Sequence, residues 1–144
     1  MRSAALAALL LAVAAPIAVA QRQVIVPQGQ TASPMLSPAI KYGDVVYLSG
    51  QLGVSRQNPD TTIGGQTKRS LESLQTVAQA AGTNLMNATK CTVFLTDLKD
   101  FAGMNAAHRE FFTKEPPARS TVVVAALVSA GAKVEIECIV AMPK

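Results

Sequence analysis

Pro116-Pro117-Ala118-Arg119-Ser120-Thr121, followed by Val134-Glu135-Ile136-Glu137-Cys138, is the stretch on which the fold turns. It places one arginine at the start of an apolar strand and two carboxylates inside another. Side chains alternate between the faces of a strand, so Glu135 and Glu137 point the same way, about 6.6 Å apart. Val134, Ile136, Cys138 and Val140 point the other way, into a core. A charge on a strand built for burial costs several kcal/mol unless it is paired or used. Arg119, Glu135 and Glu137 are therefore the first candidates for chemistry.

Working outward, residues 21–38 are polar, contain prolines and glycine, and read as an extended arm. Residues 39–42 and 45–49 are short strands around the turn Tyr42-Gly43-Asp44. A loop rich in Gly, Asn and Pro precedes a helix from about Thr62 to Ala81. Thr67, Leu71, Leu74, Ala78 and Ala81 fall on one face of it, and Gly82 stops it. Residues 88–95 form a strand. Asp100 caps a second helix whose inner stripe is Phe101, Met104, His108, Phe111 and Phe112. Residues 119–127 and 133–141 are the last strands, with residues 129–132 as the turn. The order β-β-α-β-α-β-β gives an α+β two-layer sandwich, helices on one face of a single sheet. The uncovered face carries Glu135, Glu137 and apolar residues, and such a patch marks a subunit interface.

The first twenty residues stand apart from this domain. Arg2 precedes an uncharged run from Ser3 to Ala20, and Ala18-Val19-Ala20 is a small-x-small cleavage pattern. Residues 1–20 read as a secretory signal peptide, residues 21–144 as one domain, and the mature protein as periplasmic or secreted. The competing reading, an uncleaved membrane anchor, is weakened by Pro16 and by a run barely long enough to span. Removing Arg2 leaves 12 basic and 9 acidic residues, a charge of +3 spread along the chain. That is no nucleic-acid footprint. Lys68-Arg69 reads as a solvated helix face. Cys91 and Cys138 read as buried free thiols, although an oxidising compartment would permit a disulfide. One histidine and no close cysteine pair make a metal site improbable.

With those residues placed, the chain resembles the Rid family of enamine/imine deaminases across nearly all of the mature sequence. The resemblance rests on Tyr47-Leu48-Ser49-Gly50-Gln51, Gln66-Thr67 through Ala80-Ala81-Gly82, and Cys91 to Asp97. It continues through Phe101, Met104-Asn105, Phe111-Phe112, Pro117 to Thr121 and Val134 to Glu137. It implies a chorismate-mutase-like fold with a six-stranded mixed sheet, a homotrimer, and clefts between subunits. It also implies hydrolysis of 2-imino or 2-enamino acids without metal or organic cofactor. Carried over, Arg119 binds the substrate carboxylate and Glu135 positions the attacking water. Ser49, Gly50, Asn105 and Thr121 would line the substrate site. A guanidinium fork does match a planar carboxylate, and a nearby Arg119 would keep Glu135 ionised as a base. His108 reads as a packing residue, and Glu137 as a structural partner.

Two departures qualify the resemblance. Many deaminating members carry Gly-Pro-Tyr before the first strand, where this chain has Ser37-Pro38-Ala39; Tyr42, three residues on at the hairpin, is not assumed to replace that tyrosine. The leader is the second, since most relatives are cytosolic. Residues alone also leave Arg119 and Glu135 open to reading as an interface ion pair. The competing function is a trimeric protein that binds small carboxylates, or unfolding proteins, without turnover. A ribonuclease reading lacks a basic stripe and aromatic stacking surface.

Overall fold

The strictly alternating burial of Val134–Ala141 is that of a strand covered on one side only: Val134, Ile136, Cys138 and Val140 are buried while Glu135, Glu137 and Ile139 are not. In the computed structural model, which describes residues 21–55 and 60–144, this strand sits inside a six-stranded sheet. The leader expected at residues 1–20 lies outside the described residues. The elements are β1 (Arg22–Ile25), β2 (Ala39–Tyr42), β3 (Val45–Leu52), α1 (Ile63–Ala80), β4 (Ala88–Leu95), α2 (Phe101–Phe111), β5 (Ala118–Val123) and β6 (Val134–Ala141). Their order across the sheet is β1-β2-β3-β6-β4-β5. Only β4 and β5 run parallel; the other pairs are antiparallel. Both helices pack on one face, as the resemblance implies.

α1 begins where Thr62 accepts a hydrogen bond from Gly65 N and Asp60 in turn accepts from Thr62. Its expected inner face is confirmed, with Thr67, Leu71, Leu74 and Ala78 fully buried. Gly82, at φ +83°, ends it in the left-handed conformation that glycine adopts without strain. The buried Gln66 amide donates to the carbonyls of Asp60 and Gly131 and accepts from Lys133 N, tying the loops at one end of the sheet. The core joins α1 to β3, β4 and β6 through Val46, Leu48, Leu71, Leu74, Val93 and Ile136.

Five expectations are corrected. Phe101, placed on the inner stripe of α2, is exposed. The arm contains strand β1, held against β2 as an edge. β5 stops at Val123, short of residue 127. Asp100 makes no capping bond to α2; its carboxylate pairs instead with Lys133 Nζ at 3.2 Å. Cys91 and Cys138 are joined as a disulfide. They sit directly opposite each other on neighbouring antiparallel strands, with Cα atoms 4.1 Å apart. Strand register supplies that proximity, and no stapled loop is needed. Of the basic pair, Lys68 is a solvated residue facing Glu72, whereas Arg69 donates to the Gly53 carbonyl at 2.7 Å.

Candidate active site

Arg119 stands at the start of the edge strand β5, in parallel register with the buried Cys91 of β4. Parallel register keeps side chains on matching faces, so the arginine points toward the helix layer. There α2 meets it: Arg119 Nη2 donates to Asn105 Oδ1, and Nη1 approaches Met104 Sδ at 3.8 Å. Asn105 thus fixes the guanidinium plane, a side-chain task beyond the substrate-lining role expected of it. Thr121, two residues on, shares the face of Arg119. Burial lowers the Arg119 pKa from its ordinary value, yet an arginine stays cationic. Among the described residues it enters no ion pair.

A cavity of about 350 Å³ opens beside this guanidinium, lined by Asn105, His108, a second arginine, Arg109, Phe112, Pro116 and Pro117. His108 is buried, its ring 4.7 Å from that of Phe112, as its packing role requires. It is nonetheless a wall of the cavity, which its helical spacing from Asn105 could have suggested. Burial, and then the charge of Arg119, push its pKa down to about 4. The imidazole is therefore neutral near pH 7, and its Nε2 is buried without a hydrogen-bond partner. Phe112, Pro116 and Pro117 were not singled out as site residues by the sequence reading. A larger cavity, about 520 Å³, lies near Val54, Gln66 and Val128, but the one carboxylate on its wall, Asp60, is engaged by Thr62.

Glu135 lies elsewhere. Its neighbours Val134 and Ile136 are fully buried, so its own side chain is on the open face, with that of Glu137. Leu48 faces Cys138 and Gln51 faces Ile136, so Ser49 and Gly50 together oppose the single residue Glu137. That is a β-bulge, a device that re-aims side chains. The Ser49 hydroxyl donates to the Ser37 carbonyl at 2.6 Å and its N–H to that of Pro38 at 3.0 Å. Ser49 therefore holds the preceding loop. Gly50 lies under the Glu135 carboxylate. Ala39 is buried and faces Leu48.

The nearness of Arg119 to Glu135 is the expectation that one chain does not meet. Register aligns Arg119 with Cys91 and Cys91 with Cys138, three residues along β6 from Glu135. Two strand spacings and three residue rises put the two Cα atoms roughly 14 Å apart. The side chains also leave opposite faces of the sheet. Asn105 and Thr121 gather with Arg119, while Ser49 and Gly50 gather with Glu135.

Residues 27–142 match the sequence profile of the family described as endoribonuclease L-PSP. A RutC family protein from Sinorhizobium fredii is 42% identical over 109 residues, covering 74% of this chain and 86% of that protein. A protein of Dermatophagoides farinae named 2-iminobutanoate/2-iminopropanoate deaminase is 36% identical over 107 residues, covering 72% and 83%. Among solved structures, Escherichia coli TdcF with bound serine superimposes with a TM-score of 0.75 at 33% identity, covering 84% of this chain and 99% of that one.

Proposed function

The chain belongs to the endoribonuclease L-PSP family, the YjgF/Rid group that its motifs resemble, and on that premise we propose that it hydrolyses 2-imino and 2-enamino acids to 2-keto acids and ammonia. The observation that carries this reading is Arg119: a half-buried cation, oriented by Asn105, beside a cavity and without an ion-pair partner among the described residues. A cation so held favours an anion, and a planar carboxylate satisfies its fork with two parallel hydrogen bonds. The same reaction is in the name of the Dermatophagoides relative.

Two half-sites on opposite faces call for two copies. Arg119 lies on an edge strand, where another chain can approach it. The open face presents Tyr47 and Val122, 49% and 43% exposed, beside the two glutamates. We assign that face to the subunit junction of a homotrimer, in which Glu135 of one copy meets Arg119 of the next. Closure of a ring gives each chain one junction of each kind. In that cleft Arg119 fixes the substrate by its carboxylate. Glu135 accepts a proton from a water molecule as its oxygen attacks C2. The tetrahedral adduct then expels ammonia, which leaves with the proton, and the 2-keto acid remains. Positioning carries most of the effect, because imines already hydrolyse in water.

The leader pattern and the Cys91–Cys138 bridge support export to an oxidising compartment. Among the described residues no helix is long and apolar enough to cross a membrane. The imine would then come from an extracytoplasmic amino-acid oxidase or dehydrogenase. Finding the chain uncleaved inside the cell would sink this part.

The test uses protein lacking residues 1–20. An amino-acid oxidase generates the imino acid in place, and semicarbazide traps it. The wild type is expected to suppress semicarbazone formation, and Arg119→Ala and Glu135→Ala are not. A wild type that fails with small, branched and aromatic imino acids overturns the enzyme. The buried Ala39, where deaminating relatives carry tyrosine, would then mark a carboxylate-binding protein.

A further inference from the structure

Gly50 has no positive φ, so backbone freedom does not explain a glycine there. Its surroundings do. A Cβ at position 50 would overlap Glu135 Oε1 and lie 3.0 Å from Cδ and 3.2 Å from Cγ. The carboxylate of the proposed base thus occupies the space that any side chain at position 50 would need.

The backbone on either side of the bulge has little room to yield. Ser49 is bonded twice, to the carbonyls of Ser37 and Pro38. Ser70 Oγ donates to the Gln51 carbonyl at 2.6 Å, and Gly53 N donates to Val134 O at 3.1 Å. A methyl group at position 50 would therefore be accommodated by the flexible end of Glu135, because the bulge is pinned from the arm, from α1 and from β6. The fold would survive such a change, and the carboxylate would move.

We propose that Gly50 is a positioning residue for catalysis: its missing side chain forms the slot that holds the Glu135 carboxylate in place to activate water. This rests on the deaminase reading above. It assigns Gly50 a task different from lending its backbone to the substrate, the role its place in the motif suggests.

The experiment compares wild type, Gly50→Ala, Glu135→Ala and the double variant in the oxidase–semicarbazide assay. Binding of the product 2-oxobutanoate is measured by calorimetry alongside. A carboxylate displaced by about 1 Å is expected to lower kcat about 100-fold. The Kd for 2-oxobutanoate, set by Arg119, is expected to change less than about twofold, which a general loss of structure would not permit. Because Glu135→Ala is itself silent, the double variant is read by binding: adding Gly50→Ala to Glu135→Ala is expected to leave the Kd for 2-oxobutanoate unchanged, since the group it displaces is gone. An active wild type with an equally active Gly50→Ala overturns the slot. So does a Kd weakened about tenfold or more in Gly50→Ala or in the double variant, which would return Gly50 to direct substrate contact. An inactive wild type overturns the deaminase reading itself and, with it, the catalytic role of the slot.

Discussion

The two faces of the sheet are built to different ends. On the covered face, Val46, Val93, Val134, Ile136 and Val140 are sealed in the core beneath the helix layer, and a disulfide joins β4 to β6. On the open face the same sheet presents Tyr47, Glu135, Glu137 and Val122, all at least partly accessible. Covered residues supply the stability of the chain, and open ones supply what a second copy can use. Arg119 belongs to the covered side by orientation, but its place on the edge strand leaves it within reach of a neighbour.

The largest effect should come from cutting the link on the covered face. The bridge spans 47 residues of sequence, and in the chain-entropy description closing such a loop is worth about 4 kcal/mol. Cys91→Ala/Cys138→Ala is expected to lose close to that in urea unfolding. A loss below about 1 kcal/mol would mean that the bridge contributes little. Next, Leu74→Ala removes a fully buried side chain of α1 and should cost about 3 kcal/mol. An equal cost for Tyr47→Ala in the isolated chain would erase the distinction between faces.

Acid tests the covered side where it meets the cavity. His108 titrates near 6.5 unfolded and at about 4 folded, because burial and Arg119 disfavour its charge. Between those values the unfolded chain binds the proton and the folded chain does not. Stability is therefore full above pH 6.5 and falls as pH drops toward 4, by about 3 kcal/mol over the window. His108→Phe should flatten that slope in urea titrations at pH 7, 5.5 and 4.5. An unchanged slope would show that other groups drive it. The smallest effect is expected on the open face, where Val122→Ser should alter the chain's own unfolding by less than about 0.5 kcal/mol. It should nevertheless raise the concentration needed for assembly, read by analytical ultracentrifugation.

Much of this was legible in the sequence because it is local. The parity of Glu135 and Glu137, the inner stripe of α1 and the stop at Gly82 depend only on residues near each other in the chain. What was not legible depends on strand order. A short turn between β5 and β6 suggests a hairpin, but β4 lies between them. That inserted strand separates Arg119 from Glu135 within one chain, and the register across it puts the two charges on different faces. It also brings Cys91 opposite Cys138, which is why the thiols were misread as free. β1 escaped notice because a four-residue edge strand, exposed over three of its residues, carries almost no hydrophobic period.

The most direct test of the divided site mixes the two inactive variants. Arg119→Ala and Glu135→Ala chains, each silent alone, are unfolded together and refolded as mixed trimers. About one junction in four then joins an intact Arg119 to an intact Glu135 from different copies. Recovery of about a quarter of wild-type deaminase activity is the expected result. A mixture as inactive as its components, with trimers formed and exchanged, would contradict a site shared between copies.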